Sequence, residues 1–164
     1  LPETPSRLTF ARKKEQQLVA RDTDFPPVWM AGFALFGAMF GRLVPIEVPF
    51  GSVIGGALAL LGLAIMLGAA LQLLAGRTTV IPGRDPSRMM TGGLYRFSRN
   101  PIYLADAILL AGLFVYWGAL IALPLVALFM LLISKRFIAD EETRLERLFG
   151  EEWQAYKSRT RRWI

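Results

Sequence analysis

Two arginines, two tyrosines and an Asn-Pro pair fall within the twelve residues Gly92–Tyr103, which read Gly-Gly-Leu-Tyr-Arg-Phe-Ser-Arg-Asn-Pro-Ile-Tyr. They stand at the polar doorway of a long apolar segment, and a second polar cluster, Asp140-Glu141-Glu142, waits beyond its far end. Polar chemistry gathered at one edge of a bilayer marks a site, because apolar spans alone do not need it. The chain contains no cysteine and no histidine. Disulfides and the usual zinc, haem and iron–sulfur ligand sets are thereby excluded, so no metal is expected. Cysteine nucleophiles and histidine bases are excluded with them. Chemistry here must run on carboxylates, Arg, Lys, Tyr, Asn and backbone groups.

The elements that must position these residues are apolar. Of 164 residues, 54% are hydrophobic and only 20% charged, and the mean hydropathy is +0.41. A soluble domain of this length needs more polar surface to cover its core. Three blocks carry no charge: Phe25–Gly41, Val48–Gly76 and Ala107–Ser134. Roughly 20 apolar helical residues cross a bilayer core of about 30 Å. The first two blocks read as one helix each. Residues 102–133, taken as one helix, would extend about 48 Å, well over one bilayer.

Charge decides between one helix and two. Lys and Arg number five in residues 1–25, one between the first two spans, five from Arg77 to Arg99, none near Gly118 and eight from Lys135 onward. The positive-inside rule places the three rich segments in the cytoplasm. An even number of crossings must then follow Arg99, so residues 102–133 are expected to form a hairpin turning near Tyr116-Trp117-Gly118. The expectation is an all-α polytopic membrane protein of about four transmembrane helices, the last two a hairpin, with both termini cytoplasmic. A basic arm (1–25) on anionic headgroups precedes a single domain (26–164). The net charge of +6 is assigned to the lipid bilayer as partner, with no nucleic acid required. Charge stands too far ahead of the first apolar run for a cleavable signal peptide.

Along the chain, Pro26-Pro27 suits a helix start. Gly37/Gly41 and Gly51/Gly55 at four-residue spacing predict close helix packing within the chain. Pro124 predicts a kink in the fourth span, and Gln72 a helix-interface role. Turn formers Pro82-Gly83, Asp85-Pro86 and Gly92-Gly93 mark the loop 77–99 as a binding element. Asn100 is expected to cap the third span, with Pro101 at its first position. Asp106, one turn further in, is expected to pair with Arg99 or Arg96, or else to touch a ligand. Leu145, Leu148, Phe149, Trp153 and Tyr156 recur at helical steps, giving an amphipathic C-terminal helix.

Gly93–Tyr103, the hairpin, Glu141-Glu142, Phe149-Gly150, Trp153, Tyr156 and the run Arg162-Trp163-Ile164 together resemble one superfamily. It comprises the isoprenylcysteine carboxyl methyltransferases and the phosphatidylethanolamine N-methyltransferases, where an Arg-His-Pro-x-Tyr or Asn-Pro-x-Tyr element precedes Glu-Glu by about one hairpin. The resemblance covers residues 77–164. Asn100 stands where the isoprenylcysteine enzymes carry His and leans toward the phospholipid branch; the run Phe149–Tyr156 leans the other way. The resemblance implies S-adenosyl-L-methionine as methyl donor, with a lipophilic acceptor entering laterally. It implies binding by Gly92, Gly93, Leu94, Tyr95, Arg99, Asn100, Pro101, Tyr103, Glu141 and Glu142, with Arg99, Glu142 and Tyr103 catalytic. In that reading Arg99 or Arg96 pairs with the cofactor carboxylate, a glutamate accepts from its ribose or amine, and Tyr95 or Tyr103 faces its cation.

A carboxylate acceptor is already nucleophilic, whereas an amine must first lose a proton and no histidine is present to take it. Carboxyl methylation is therefore the leading expectation and phospholipid N-methylation the alternative. A sterol-reductase-like enzyme and a non-catalytic scaffold are the further rivals. The expected place is the inner membrane of a bacterium or archaeon, with the site facing the cytoplasm.

Overall fold

The structure is a computed structural model, and it describes residues 25–46, 48–79 and 84–164. The basic arm, apart from Phe25, and the Pro82-Gly83 turn lie outside the described residues. Among the described residues every regular element is helical: α1 (Pro26–Leu43), α2 (Gly51–Ala75), a 3-10 turn (Gly93–Arg96), α3 (Pro101–Tyr116), a second 3-10 turn (Leu120–Ala122), α4 (Pro124–Ile133) and α5 (Ala139–Arg159). A π-helical turn, Ser134–Ile138, joins α4 to α5 without a break. Its extra residue per turn shifts the faces of α5 out of phase with those of α4.

Helix packing follows the glycines. A Cβ placed on Gly62 would come within 2.8 Å of Leu109 N, and one on Gly112 within 2.5 Å of Ala59 N. Only glycine admits so close an approach, and it seats α2 antiparallel along α3. Gly37 backs onto the Phe114 ring and Gly41 onto Trp117 and Ala119, so the expected intramolecular packing is present. Phe33 of α1 meets Phe129 of α4 edge-on at 5.5 Å. Consecutive helices thus alternate in direction. The core is Leu110, Phe114, Phe129, Ile133 and Ile138, closed by Trp29 and Phe33.

Large apolar side chains face outward. On α2 the buried residues are Gly51, Gly55, Gly62 and Ala69, whereas Leu60, Leu67 and Leu71 are exposed. Small residues inside and leucines outside suit a lipid surround. Two helical stretches, Gly51–Ala75 and the continuous Leu120–Arg159, are long and apolar enough to cross a membrane, and Pro101–Tyr116 is a shorter apolar helix.

The hairpin turns where the charge pattern places it. Gly118 adopts φ +65°, a left-handed conformation that favours glycine, and its carbonyl accepts from Ile46 N at 2.8 Å. Two local expectations are corrected. Pro124 opens α4 at its first turn instead of kinking a longer helix. Within α5, Gly150 adopts φ 46° and ψ −115°, which interrupts the helix; Leu148, expected on its apolar face, is exposed at 40%.

Candidate functional site

The polar residues of Gly92–Tyr103 and of α5 meet at one end of the bundle, at the C-terminal end of α2 and the start of α3. Gln72 anchors this end: its Oε1 accepts from Leu94 N at 3.0 Å. Gly93 sits at φ +57° directly against the Gln72 amide, where a side chain would overlap it. This confirms Gln72 as an interface residue. It also commits the Leu94 amide to the Gln72 side chain.

Past this turn the chain meets the C-terminal tail. Arg99 N donates to Arg161 O at 3.0 Å. Asn100 Nδ2 donates to Arg162 O at 3.0 Å, and Ser98 Oγ to the same carbonyl at 3.2 Å. Asn100 does occupy the cap position of α3 and Pro101 its first turn, but the Asn100 side chain makes no capping bond. It is diverted to the tail.

Glu142 is the hub of this closed side. Arg99 Nη2 donates to Glu142 Oε1 at 2.9 Å, Arg162 Nε to the same oxygen at 3.0 Å, and Arg162 Nη2 to Glu142 Oε2. Arg99 Nη1 donates to Lys157 O at 3.1 Å and Thr160 O at 2.8 Å. Burial alone would raise the Glu142 pKa, but the hydrogen bonds from Arg162 and Arg99 outweigh it and hold the carboxyl below its ordinary range. Arg99 therefore pairs with Glu142 and not with Asp106, contrary to the first expectation for Asp106. One donor is left over: Arg99 Nε is buried without a partner, as is Trp153 Nε1. The guanidinium lies 5.6 Å from the Trp153 ring centre.

Beside this clamp opens a cleft of about 870 Å³, a figure that includes the open space at its mouth. Tyr95, Arg99, Asn100, Ile102 and Tyr103 form one wall; Glu141, Arg144, Leu145 and Tyr156 form another; Thr78, Thr79, Arg84, Arg88, Met89 and Met90 close it from the loop. Of the residues expected to bind, Tyr95, Arg99, Asn100, Tyr103 and Glu141 line this cleft, whereas Gly92, Gly93, Leu94, Pro101 and Glu142 are not in its lining.

Glu141 lines the cleft, with no hydrogen bond or ion pair to another described residue. Protein surrounds it on its other sides, and that burial pushes its pKa up; Arg144 pulls against the rise and Glu142 adds to it. Tyr156 Oη donates to Tyr95 O at 2.6 Å, fixing the wall, and burial pushes the Tyr156 phenol up to about 12. Both Tyr95 and Tyr103 are buried.

The loop is held over the cleft by Asp85, 3.4 Å from Arg144 Nε and 3.5 Å from Arg147 Nη2. Thr78 Oγ1 also donates to Arg88 O at 3.1 Å. Sequence reasoning marked this loop as a binding element without singling out Arg84, Arg88 or the methionines. It also gave Arg162 no contact. Only the fold brings a residue 20 positions away onto Glu142.

The site can bind a small ligand that carries both charges. Glu141, which has no hydrogen-bond or ion-pair partner among the described residues, lines one cleft with Arg99, the tyrosines Tyr95, Tyr103 and Tyr156, and the apolar Ile102, Leu145, Met89 and Met90. A family model described as phospholipid methyltransferase matches residues 51–152. An uncharacterized protein of Haemophilus influenzae is 38% identical over 63 residues, which is 38% of this chain and all of that protein. No solved structure matches.

Proposed function

The chain belongs to the phospholipid methyltransferase family, and from that premise we propose that it is a membrane enzyme transferring a methyl group from S-adenosyl-L-methionine to a lipophilic acceptor. The observation that carries this reading is that opposite charges line one cleft: Glu141, without a hydrogen-bond or ion-pair partner among the described residues, and Arg99, whose buried Nε has none there either. An α-amino acid tail needs such a pair of contacts, one for its ammonium and one for its carboxylate.

The residues present fit the cofactor. Glu141 would take its amine or ribose hydroxyls, Arg99 Nε its carboxylate, and Tyr95 and Tyr103 would wall its cationic centre. When bound, S-adenosyl-L-methionine supplies an electrophilic methyl on a sulfonium. Methyl transfer of this kind depends on alignment and exclusion of water more than on acid–base groups. Here Asp85 pins the loop above the cleft, and Tyr156 fixes the Tyr95 wall from behind. Glu142 keeps Arg99 oriented and is a positioning residue in this account. The acceptor would reach the site laterally between helices, its tail remaining among the outward-facing leucines.

Four crossings with both termini and the cleft on the cytoplasmic face form part of the proposal, supported by alternating helix directions and the basic residues clustered at the cleft end. Carboxyl methylation, the isoprenylcysteine-type reading, is supported by the run Phe149–Tyr156 and needs no proton acceptor. N-methylation of a phospholipid is supported by Asn100 at the Asn-Pro-x-Tyr position and requires one.

The test is to incubate reconstituted protein with methyl-labelled S-adenosyl-L-methionine and total lipid, with Glu141→Gln as control, then treat the lipid fraction with mild base. Label in lipid that depends on Glu141 is the expected result. Its release as methanol would assign an ester, and its retention an N-, O- or S-methyl product. Absence of saturable cofactor binding would refute the reading.

A further inference from the structure

We propose that Arg144 is a positioning residue for the cofactor's ammonium: tethered by Asp85 of the loop, its guanidinium lends positive potential to Glu141 without closing an ion pair on it. The carboxylate is thereby kept charged and open to the ligand. This inference rests on the methyl-transfer reading above and deepens it.

Arg144 and Arg147 both reach Asp85, at 3.4 and 3.5 Å, yet they are placed differently. The Arg147 side chain is 69% exposed and that of Arg144 only 20%. Arg144 lines the cleft together with Glu141, and so do Arg84 and Pro86, the two neighbours of Asp85 on the loop. Arg147 is not in that lining. One guanidinium thus belongs to the loop contact and to the cleft at once.

Helical spacing sets its relation to Glu141. Residues three apart on a helix are surface neighbours, with Cβ atoms about 5–6 Å from each other, so Arg144 stands beside Glu141 on α5. Burial raises the Glu141 pKa, and the Arg144 charge pulls it back down. No ion pair joins the two among the described residues, and Arg144 Nε lies against Asp85 instead. A guanidinium paired directly with Glu141 would compete with a ligand ammonium for the same oxygens. Asp85 draws it the other way, so the cation stays near Glu141 without occupying it.

The other charged or titratable groups around this space are Glu142 and Tyr156 on α5, Arg99 just before α3, Tyr103 within it, Tyr95 on the 3-10 turn, and Arg84 and Arg88 on the loop. Arginines and phenols titrate well above neutrality. Glu142, despite its burial, is held low by Arg162 and Arg99. Within this set Glu141 is the group that takes up a proton on mild acidification.

The experiment measures S-adenosyl-L-methionine binding by calorimetry to the full chain in vesicles, between about pH 4.5 and 7.5, below the range where an α-amino group loses its proton. Wild type, Arg144→Gln, Arg144→Lys, Asp85→Asn and Arg147→Gln are compared, each also with Glu141→Gln added. Arg144→Gln should lose affinity on acidification about one pH unit above wild type, because Glu141 without that charge is protonated more readily. Arg144→Lys should restore the midpoint. Asp85→Asn should move it the opposite way and weaken binding about threefold near pH 7.5, because the freed Arg144 closes on Glu141. Arg147→Gln should leave the midpoint where wild type has it, and Glu141→Gln should abolish the dependence in every background. A role confined to fastening the loop would change affinity alike at all pH values. The Asp85→Asn shift stands as the test should Arg144→Gln fail to fold. Cofactor binding whose midpoint is unmoved in Arg144→Gln, shifts equally in Arg147→Gln, or fails to fall in Asp85→Asn would overturn the proposal and leave the cofactor reading standing. Wild type that binds no cofactor would overturn both.

Discussion

On one side of α5, Glu142 gathers Arg99 and Arg162 into a closed clamp; on the other, Glu141 lines an open cleft with no hydrogen-bond or ion-pair partner among the described residues. The two residues are consecutive and chemically identical. Their surroundings drive their carboxyls in opposite directions, Glu142 toward the charged form and Glu141 away from it. A Glu-Glu pair read as a single binding motif is therefore two devices. One fastens the C-terminal tail to the start of α3, and the other holds an unanswered charge where a ligand can reach it.

The comparison can be broken at its shared residue. Arg99→Ala should have the largest effect, because Arg99 serves both sides. Its loss would leave Glu142 half-paired and the carbonyls of Lys157 and Thr160 without their donor. Removing one partner of a buried pair costs about 3–5 kcal/mol, to be read as a lowered thermal midpoint together with lost cofactor affinity. Glu142→Gln should come next, at about 1.5–3 kcal/mol for the lost charged hydrogen bonds. It should free the tail to proteolysis while cofactor binding persists wherever the protein stays folded.

Glu141→Gln sharpens the contrast. It should leave stability nearly intact, since no hydrogen bond or ion pair to a described residue is lost, and weaken cofactor binding by about 10- to 100-fold, the worth of one charged hydrogen bond. A pH titration adds a sign. Because burial raises the Glu141 pKa, its proton competes with the cofactor ammonium. Affinity should therefore fall with decreasing pH at values above the ordinary carboxylate range, and the Gln variant should abolish that dependence. The Glu142 clamp behaves oppositely. Its depressed pKa means its stabilisation is present above the unfolded-state pKa and is lost only as pH falls through the lower folded value. Tail protection should outlast cofactor binding on acidification. Asp85→Asn should have the smallest effect, at most about 1 kcal/mol for an exposed pair, with the loop above the cleft exchanging amide hydrogens faster.

Much of this was legible in the sequence because it depends on local pattern. Uncharged blocks specified α1 and α2, the basic-residue count specified the hairpin at Gly118, and Asn100-Pro101 specified the start of α3. Small residues at Gly37, Gly41 and Gly55 announced the packing. What was not legible depends on contacts between distant residues. Nothing near Glu142 says that Arg162 will return to it, or that Asn100 will prefer Arg162 O to capping its own helix. Leu148 fits the apolar stripe of α5 in sequence, yet it is exposed while Leu145 and Phe149 pack against Trp153 and Tyr156. Asp106 was read first as an arginine's partner, because spacing cannot reveal that Glu142 takes Arg99 instead.

The central claim is most directly tested by titrating S-adenosyl-L-methionine into reconstituted wild-type, Glu141→Gln and Glu142→Gln protein by calorimetry, with a thermal melt of each. The account predicts saturable binding to wild type, weakened binding with an unchanged melt for Glu141→Gln, and a lowered melt with binding retained for Glu142→Gln. Absence of binding to wild type, or two variants indistinguishable in both measurements, would contradict it.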